Sequence, residues 1–178
     1  MISDFVKGKR KFEYPPLVQK GISLHRLIDD FTDHHLATKD AKEVFRPHYR
    51  LYSGAFVDVV YDHFLASDKN EFSLDSLYEF SMNTYSSLGN YYHLFPDRFK
   101  RMFPYMKEQN WLYNYHTRWG TERSFEGLAR RGVYLEESDT AFKLFEANYQ
   151  LLQTCYRQFW ADVKSFARNQ FDMFIKSD

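Results

Sequence analysis

From Ser138 to about Ile175, Phe142, Phe145, Tyr149, Leu152, Tyr156, Phe159, Val163 and Phe166 return at alternating steps of three and four. That rhythm matches the turn of an α-helix; a strand, whose side chains alternate between faces, cannot use it. It predicts one long C-terminal helix whose aromatic seam must be covered lengthwise by other helices. The remaining sequence agrees, since alternating strand patterns are scarce and aromatic residues make up 20% of the chain, large side chains suited to bridging helices. The expected fold is all-α, a single-domain helical bundle over residues 1–178, because a chain of this length is the usual size for one core.

Local signals divide the chain further. Met1 to Val6 reads as the end of a helix, and the basic run from Lys7 to Lys11 as a loop before Pro15-Pro16, which opens a helix reaching about Leu36. A short helix is expected near Asp40 to Phe45, and Pro47 is expected to open another, continuing to about Ala66. Ser73 caps a helix through about Leu88, Pro96 and Pro104 divide the next aromatic stretch, and Thr121 and Gly132 bracket a short helix.

Charge and cysteine content narrow the function classes. The 24 basic and 24 acidic residues cancel, so no general field draws the chain to nucleic acid or to a membrane surface. No apolar run approaches the ~18 residues of a membrane span, and the N-terminus lacks the apolar core of a signal peptide. Cys155 is the single cysteine, which excludes an internal disulfide and suits a reducing cytoplasm.

Chemistry concentrates on two predicted helices. Val18, Ile22, His25, Asp29, Thr32 and Leu36 share one helical face, and Leu51, Ala55, Asp58, Asp62 and Leu65 share another. Both faces are apolar at their ends and acidic in the middle, where the flanking pattern predicts core. A buried carboxylate takes up a proton, finds a cation or binds a metal, and pairs one turn apart reach one ion from a rigid backbone. Carboxylates with imidazole and no thiolate suit Mn²⁺ or Mg²⁺ better than Zn²⁺ or Fe²⁺. His63 follows Asp62 and offers a ligand or a supporting group, whereas His34, His35, His48, His93 and His116 and the three tryptophans read first as end-capping or packing residues.

Three ordered segments carry a family resemblance: Asp4-Phe5-Val6-Lys7-Gly8; Gly21 to Asp29 followed by Phe31-Thr32-Asp33; and Asp58-Val59-Val60-Tyr61-Asp62-His63-Phe64-Leu65. With Trp111-Leu112, Tyr115 and Leu128-Ala129-Arg130-Arg131, the sequence resembles the acyl carrier protein phosphodiesterases, relatives of the helical HD-type phosphohydrolases. The resemblance implies a bacterial, cytoplasmic enzyme that hydrolyses holo-acyl carrier protein to the apo form and 4′-phosphopantetheine with a divalent metal, typically manganese. Carried onto this sequence, it implies metal ligation by His25, Asp29, Asp58 and Asp62, and catalytic roles for Asp4, Arg26, Asp33 and His63. Arg130 and Arg131 are expected to meet the phosphate, and Lys7, Lys9, Arg10 and Lys11, extended by Lys100 and Arg101, to meet an acidic carrier protein. Members of the family usually carry about twenty further residues before the segment matching Asp4. The competing readings are an HD-like phosphohydrolase acting on a nucleotide or other small phosphodiester, and a non-catalytic module that binds carrier protein.

Overall fold

A computed structural model describes residues 2–131 and 138–176, and among these residues regular structure is helical throughout. The elements are α1 (Pro16–His34), α2 (Leu36–Tyr49), α3 (Ser53–Ser67), α4 (Leu74–Asn90), α5 (Asp97–Glu108), α6 (Trp111–Asn114), α7 (Arg118–Arg131), α8 (Ser138–Ala147) and α9 (Tyr149–Lys176). Two 3-10 turns, Ser3–Phe5 and Gly8–Glu13, precede α1. Within the expected helix end Ser3–Phe5 is a tight turn, Met1 lying outside the described residues, and the expected basic loop is taken up by the second turn.

Several boundaries follow local chemistry. Pro16 opens α1, where a missing N–H costs nothing, and Ser73 with Ser76 forms a reciprocal capping box on α4. Others depart from the expectation. The helix from Pro16 ends at His34, and the short helix placed at Asp40 to Phe45 is the middle of α2, whose first turn is capped when Nδ1 of His35 accepts from the Ala37 N–H at 3.2 Å. Pro47 lies in the last turn of α2 rather than opening α3; the break comes at Arg50, whose φ of 45° ends the helix. Pro104 likewise sits inside a continuous α5 on its exposed side, where water can satisfy the carbonyl one turn back. The long C-terminal helix is divided at Asn148, whose side-chain amide and backbone N–H both donate to the Leu144 carbonyl, at 2.9 and 3.0 Å. Gly132, the expected end of α7, lies outside the described residues.

The main core lies among α2, α3, α7, α8 and α9. Phe45 stacks on Phe56 at 5.6 Å, Phe125 meets both edge-on or tilted, and Tyr61 stacks on Phe159 at 4.7 Å, so the predicted seam is covered by α2 and α3. α1 joins it through Phe31, stacked on Phe166 at 4.5 Å. A second aromatic cluster, Tyr85, Phe95, Phe99, Phe103 and Met106, holds α4 to α5 and takes Phe5 against Phe99 at 5.5 Å. That contact fixes the N-terminal turn beside α1.

Candidate metal centre

On α1, His25, Asp29 and Asp33 are one turn apart and form a row along its solvent side. Asp4 reaches the start of that row because its neighbours are held: Phe5 is in the second aromatic cluster, and the Arg26 guanidinium donates to the Val6 carbonyl at 2.7 Å and to Gly8 at 3.3 Å. Gly8, at φ 55°, supplies the left-handed residue that turns the chain there. As a result both nitrogens of His25 face carboxylates, Nδ1 donating to Asp29 at 2.8 Å and Nε2 lying 3.7 Å from Asp4. Asp4, His25 and Asp29 each offer a ligand atom, and these atoms lie within 4.8 Å of one another.

Asp58 projects from α3 toward this row, with Asp62 beside it one turn on. Both reach water, yet the surrounding protein strips much of their solvent shell, and that burial is the first cause that pushes each carboxyl up to about 7. The charges of Asp33, Asp29 and Asp4 raise Asp58 further, so these acids belong to one electrostatic cluster, while the Lys42 ammonium opposes them. Lys42 also pairs with Asp33 at 2.8 Å. Asp62 feels Asp58 and accepts a hydrogen bond from the Tyr115 side chain.

The expectation that these acids lie in the core is corrected by their exposure. On α1 only Ile22 is buried; Leu36 and Leu51, taken as ends of apolar stripes, are largely in water. Ala55, Asp58, Asp62 and Leu65 form the edge of α3, whose core side carries Phe56, Val57, Val60 and Phe64. α3 is apolar on most sides, so periodicity alone cannot choose which side faces inward.

Other expected site residues are placed apart. His63 is buried among Phe64, Phe145 and Tyr149; its Nδ1–H donates to the Tyr115 carbonyl at 2.8 Å, and its Nε2 is 3.1 Å from the Tyr149 hydroxyl. The carbonyl can only accept, so Nε2 is the acceptor for Tyr149, and desolvation lowers the His63 pKa. It faces the core, not the acid row. Arg26 spends its guanidinium on backbone carbonyls that hold the Asp4 turn. Arg130 pairs with Glu126 at 3.5 Å, and the side chain of Arg131 lies outside the described residues. Of the basic run, Lys7 and Arg10 line a cavity of about 400 Å³ together with Asp4 and Arg98, Lys9 is exposed, and Lys11 donates to Ser23 at 3.1 Å. Sequence reading missed Lys42, whose pairing with Asp33 depends on how α2 packs on α1, and which with Arg46 and Arg50 lines a cavity of about 590 Å³ beside the row.

The donor set fits a divalent cation: three convergent ligand groups, oxygen-rich with one imidazole, and acids close enough to oppose one another's ionisation. Among the described residues the protein is all-helical, with an acidic, solvent-open cluster that is a candidate divalent-cation site. Residues 1–163 match the family described as acyl carrier protein phosphodiesterase, and the chain belongs to that family. Proteins of that name from Klebsiella pneumoniae subsp. pneumoniae and Yersinia pestis are 30% and 29% identical to it over 171 residues, covering 96% of this chain and 89% of each relative. The protein of the same name from Escherichia coli O6:H1 is 30% identical over 161 residues, covering 90% of this chain and 83% of its own length. No solved structure matches. No described helix is long and apolar enough to cross a membrane.

Proposed function

We propose that the chain hydrolyses the phosphodiester joining 4′-phosphopantetheine to holo-acyl carrier protein, releasing the apo protein, with Mn²⁺ or secondarily Mg²⁺ at the acid row. The observation that carries this reading is the convergence of Asp4, His25 and Asp29 opposite Asp58 in a chain of this family. Asp4, His25 and Asp29 would hold the ion, with Asp58, Asp62 and Asp33 completing the acidic surround. When bound, a divalent ion lowers the pKa of water and polarises a phosphate oxygen.

The residues supply the remainder. Asp58, facing the ligand row from α3, takes a proton from the attacking water and returns it to the departing serine oxygen. Tyr115 holds the Asp62 carboxylate, and Lys42 offsets the negative charge gathered at Asp33. Lys7, Lys9, Arg10 and Lys11 on one side of the row, and Lys42, Arg46 and Arg50 on the other, offer basic ground for an acidic carrier protein. The cytoplasm is the compartment we infer, in keeping with the buried free thiol of Cys155.

Mass spectrometry of holo-acyl carrier protein incubated with Mn²⁺ and the protein tests this directly. The expected result is conversion to the apo form, more than about a hundredfold slower for Asp29→Ala. Equal rates in the wild type and Asp29→Ala, or no conversion with any divalent ion, would remove the proposal.

A further inference from the structure

A trough of about 570 Å³ opens between α6 and α7, and neither the metal centre nor its basic flanks use it. Its volume is within the ~300–1,000 Å³ of sites that hold small organic molecules. At its lining α7 begins almost on top of α6: a β-carbon at Gly120 would lie 2.0 Å from the Asn114 carbonyl oxygen, so only glycine permits the crossing. Val59, Trp111, Tyr115, Trp119, Arg123 and Arg130 form its main walls.

Position ties the trough to the acid cluster. Tyr115 lines it and also donates to Asp62, and Val59 lies on α3 between Asp58 and Asp62. Tyr115 therefore sets one wall of the trough directly beside the acids.

The walls define the ligand's chemistry. Trp119 is 53% exposed, a large apolar surface left in water beside Arg123, whose guanidinium is 5.9 Å from its ring. Arg123 and Arg130 share one carboxylate, Glu126 at 2.8 and 3.5 Å, so this wall keeps one net positive charge held close to the surface. Gln109, Asn114 and Ser124 add amide and hydroxyl partners at its edge. Aromatic walls with amide and hydroxyl groups at the edge suit an extended amide chain, whose carbonyls can accept from the remaining guanidinium N–H groups.

We propose that this trough binds the pantetheine arm of the substrate while the phosphodiester lies at the acid row. The proposal rests on the phosphodiesterase reading for its choice of ligand, and its test is separable from it.

Calorimetric titration with free pantetheine is expected to show binding to the wild type and equally to Asp29→Ala. Trp119→Ala should bind about five- to tenfold more weakly, the scale of a lost aromatic contact with its buried area, and Trp119→Phe should recover most of the difference. With holo-acyl carrier protein, Trp119→Ala should raise KM by the same factor and leave kcat nearly unchanged. Hydrolysis of bis(p-nitrophenyl) phosphate, which has no arm, should stay within about twofold of wild type. Failure of the wild type to bind pantetheine, equal binding by Trp119→Ala, or equal losses on both phosphodiesters would each overturn the trough. Pantetheine binding that follows Trp119, in a protein that hydrolyses neither substrate, would uphold the trough and sink the phosphodiesterase reading instead.

Discussion

α1 and α3 carry the same residue types at comparable spacing, and the fold uses them in opposite ways. His25 on α1 stands at the surface between Asp4 and Asp29, with both nitrogens turned to carboxylates. His63 on α3 is 2% exposed, with one nitrogen on a backbone carbonyl, the other on a phenol, and aromatic rings around it. α3 contributes nine buried residues to the core against one from α1. A histidine beside an aspartate is thus chemistry on a helix that lies at the rim and scaffolding on a helix that runs through the middle. The adjacent Asp62 and His63 divide these duties within one helix, the first toward the acids and the second into the core.

Exchanging the two histidines for alanine gives the sharpest test of that division. His25→Ala should lower metal-dependent turnover more than about a hundredfold while shifting the melting temperature little, since it removes a rim side chain and no core volume. If it unfolds the protein, α1 is part of the core and the comparison fails. His63→Ala should do the reverse, costing about 2–4 kcal/mol through a cavity and two unpaired partners, read by denaturant unfolding. A fully stable His63→Ala with lost metal binding would make His63 a ligand after all.

Arg26 tests the link between the rim and its support. It holds the Val6 and Gly8 carbonyls and so keeps Asp4 near His25. Arg26→Gln should weaken Mn²⁺ binding about tenfold, the lower range for loss of a group that orients a ligand, with a small effect on the melting temperature. Unchanged Mn²⁺ affinity would show that Asp4 needs no such support.

What could be read from the sequence follows the same line. Signals contained within one turn were legible: Pro16 at the start of α1, the Ser73 cap, and the row of His25 and Asp29. The heptad-like seam found the long helix but not its division at Asn148, where a side-chain amide and a backbone N–H share one carbonyl, a local feature that the seam does not register. The inward side of α3 was hidden by apolar residues on almost every side. Asp4 entered through family resemblance alone, since its approach to His25 depends on Phe5 joining a cluster formed by α4 and α5. Lys42 and the α6–α7 trough arise from helix crossings, which no pattern within a single helix reveals.

The smallest expected effect is a pH dependence that belongs to α3's rim alone. Asp58 and Asp62 keep protons up to about pH 7 in the folded protein and release them near 3.8 when unfolded. Between those values the folded state binds more protons, so their contribution is greatest at low pH and is lost as pH rises through about 7. His63 acts oppositely: its lowered pKa means that the unfolded chain gains the proton first below 6.5. Comparison with Asp58→Asn separates the two. In metal-free protein, Asp58→Asn should melt higher than wild type at pH 8, and the gap should narrow toward pH 5 as Asp58 becomes protonated. Adding Mn²⁺ should stabilise the wild type at pH 8 and reverse the order, because the cation discharges the acids that the substitution only dilutes. A gap that is the same at pH 5 and pH 8 would mean that Asp58 is ordinary surface, and that the rim of α3 is no more electrostatically strained than the rim of α1.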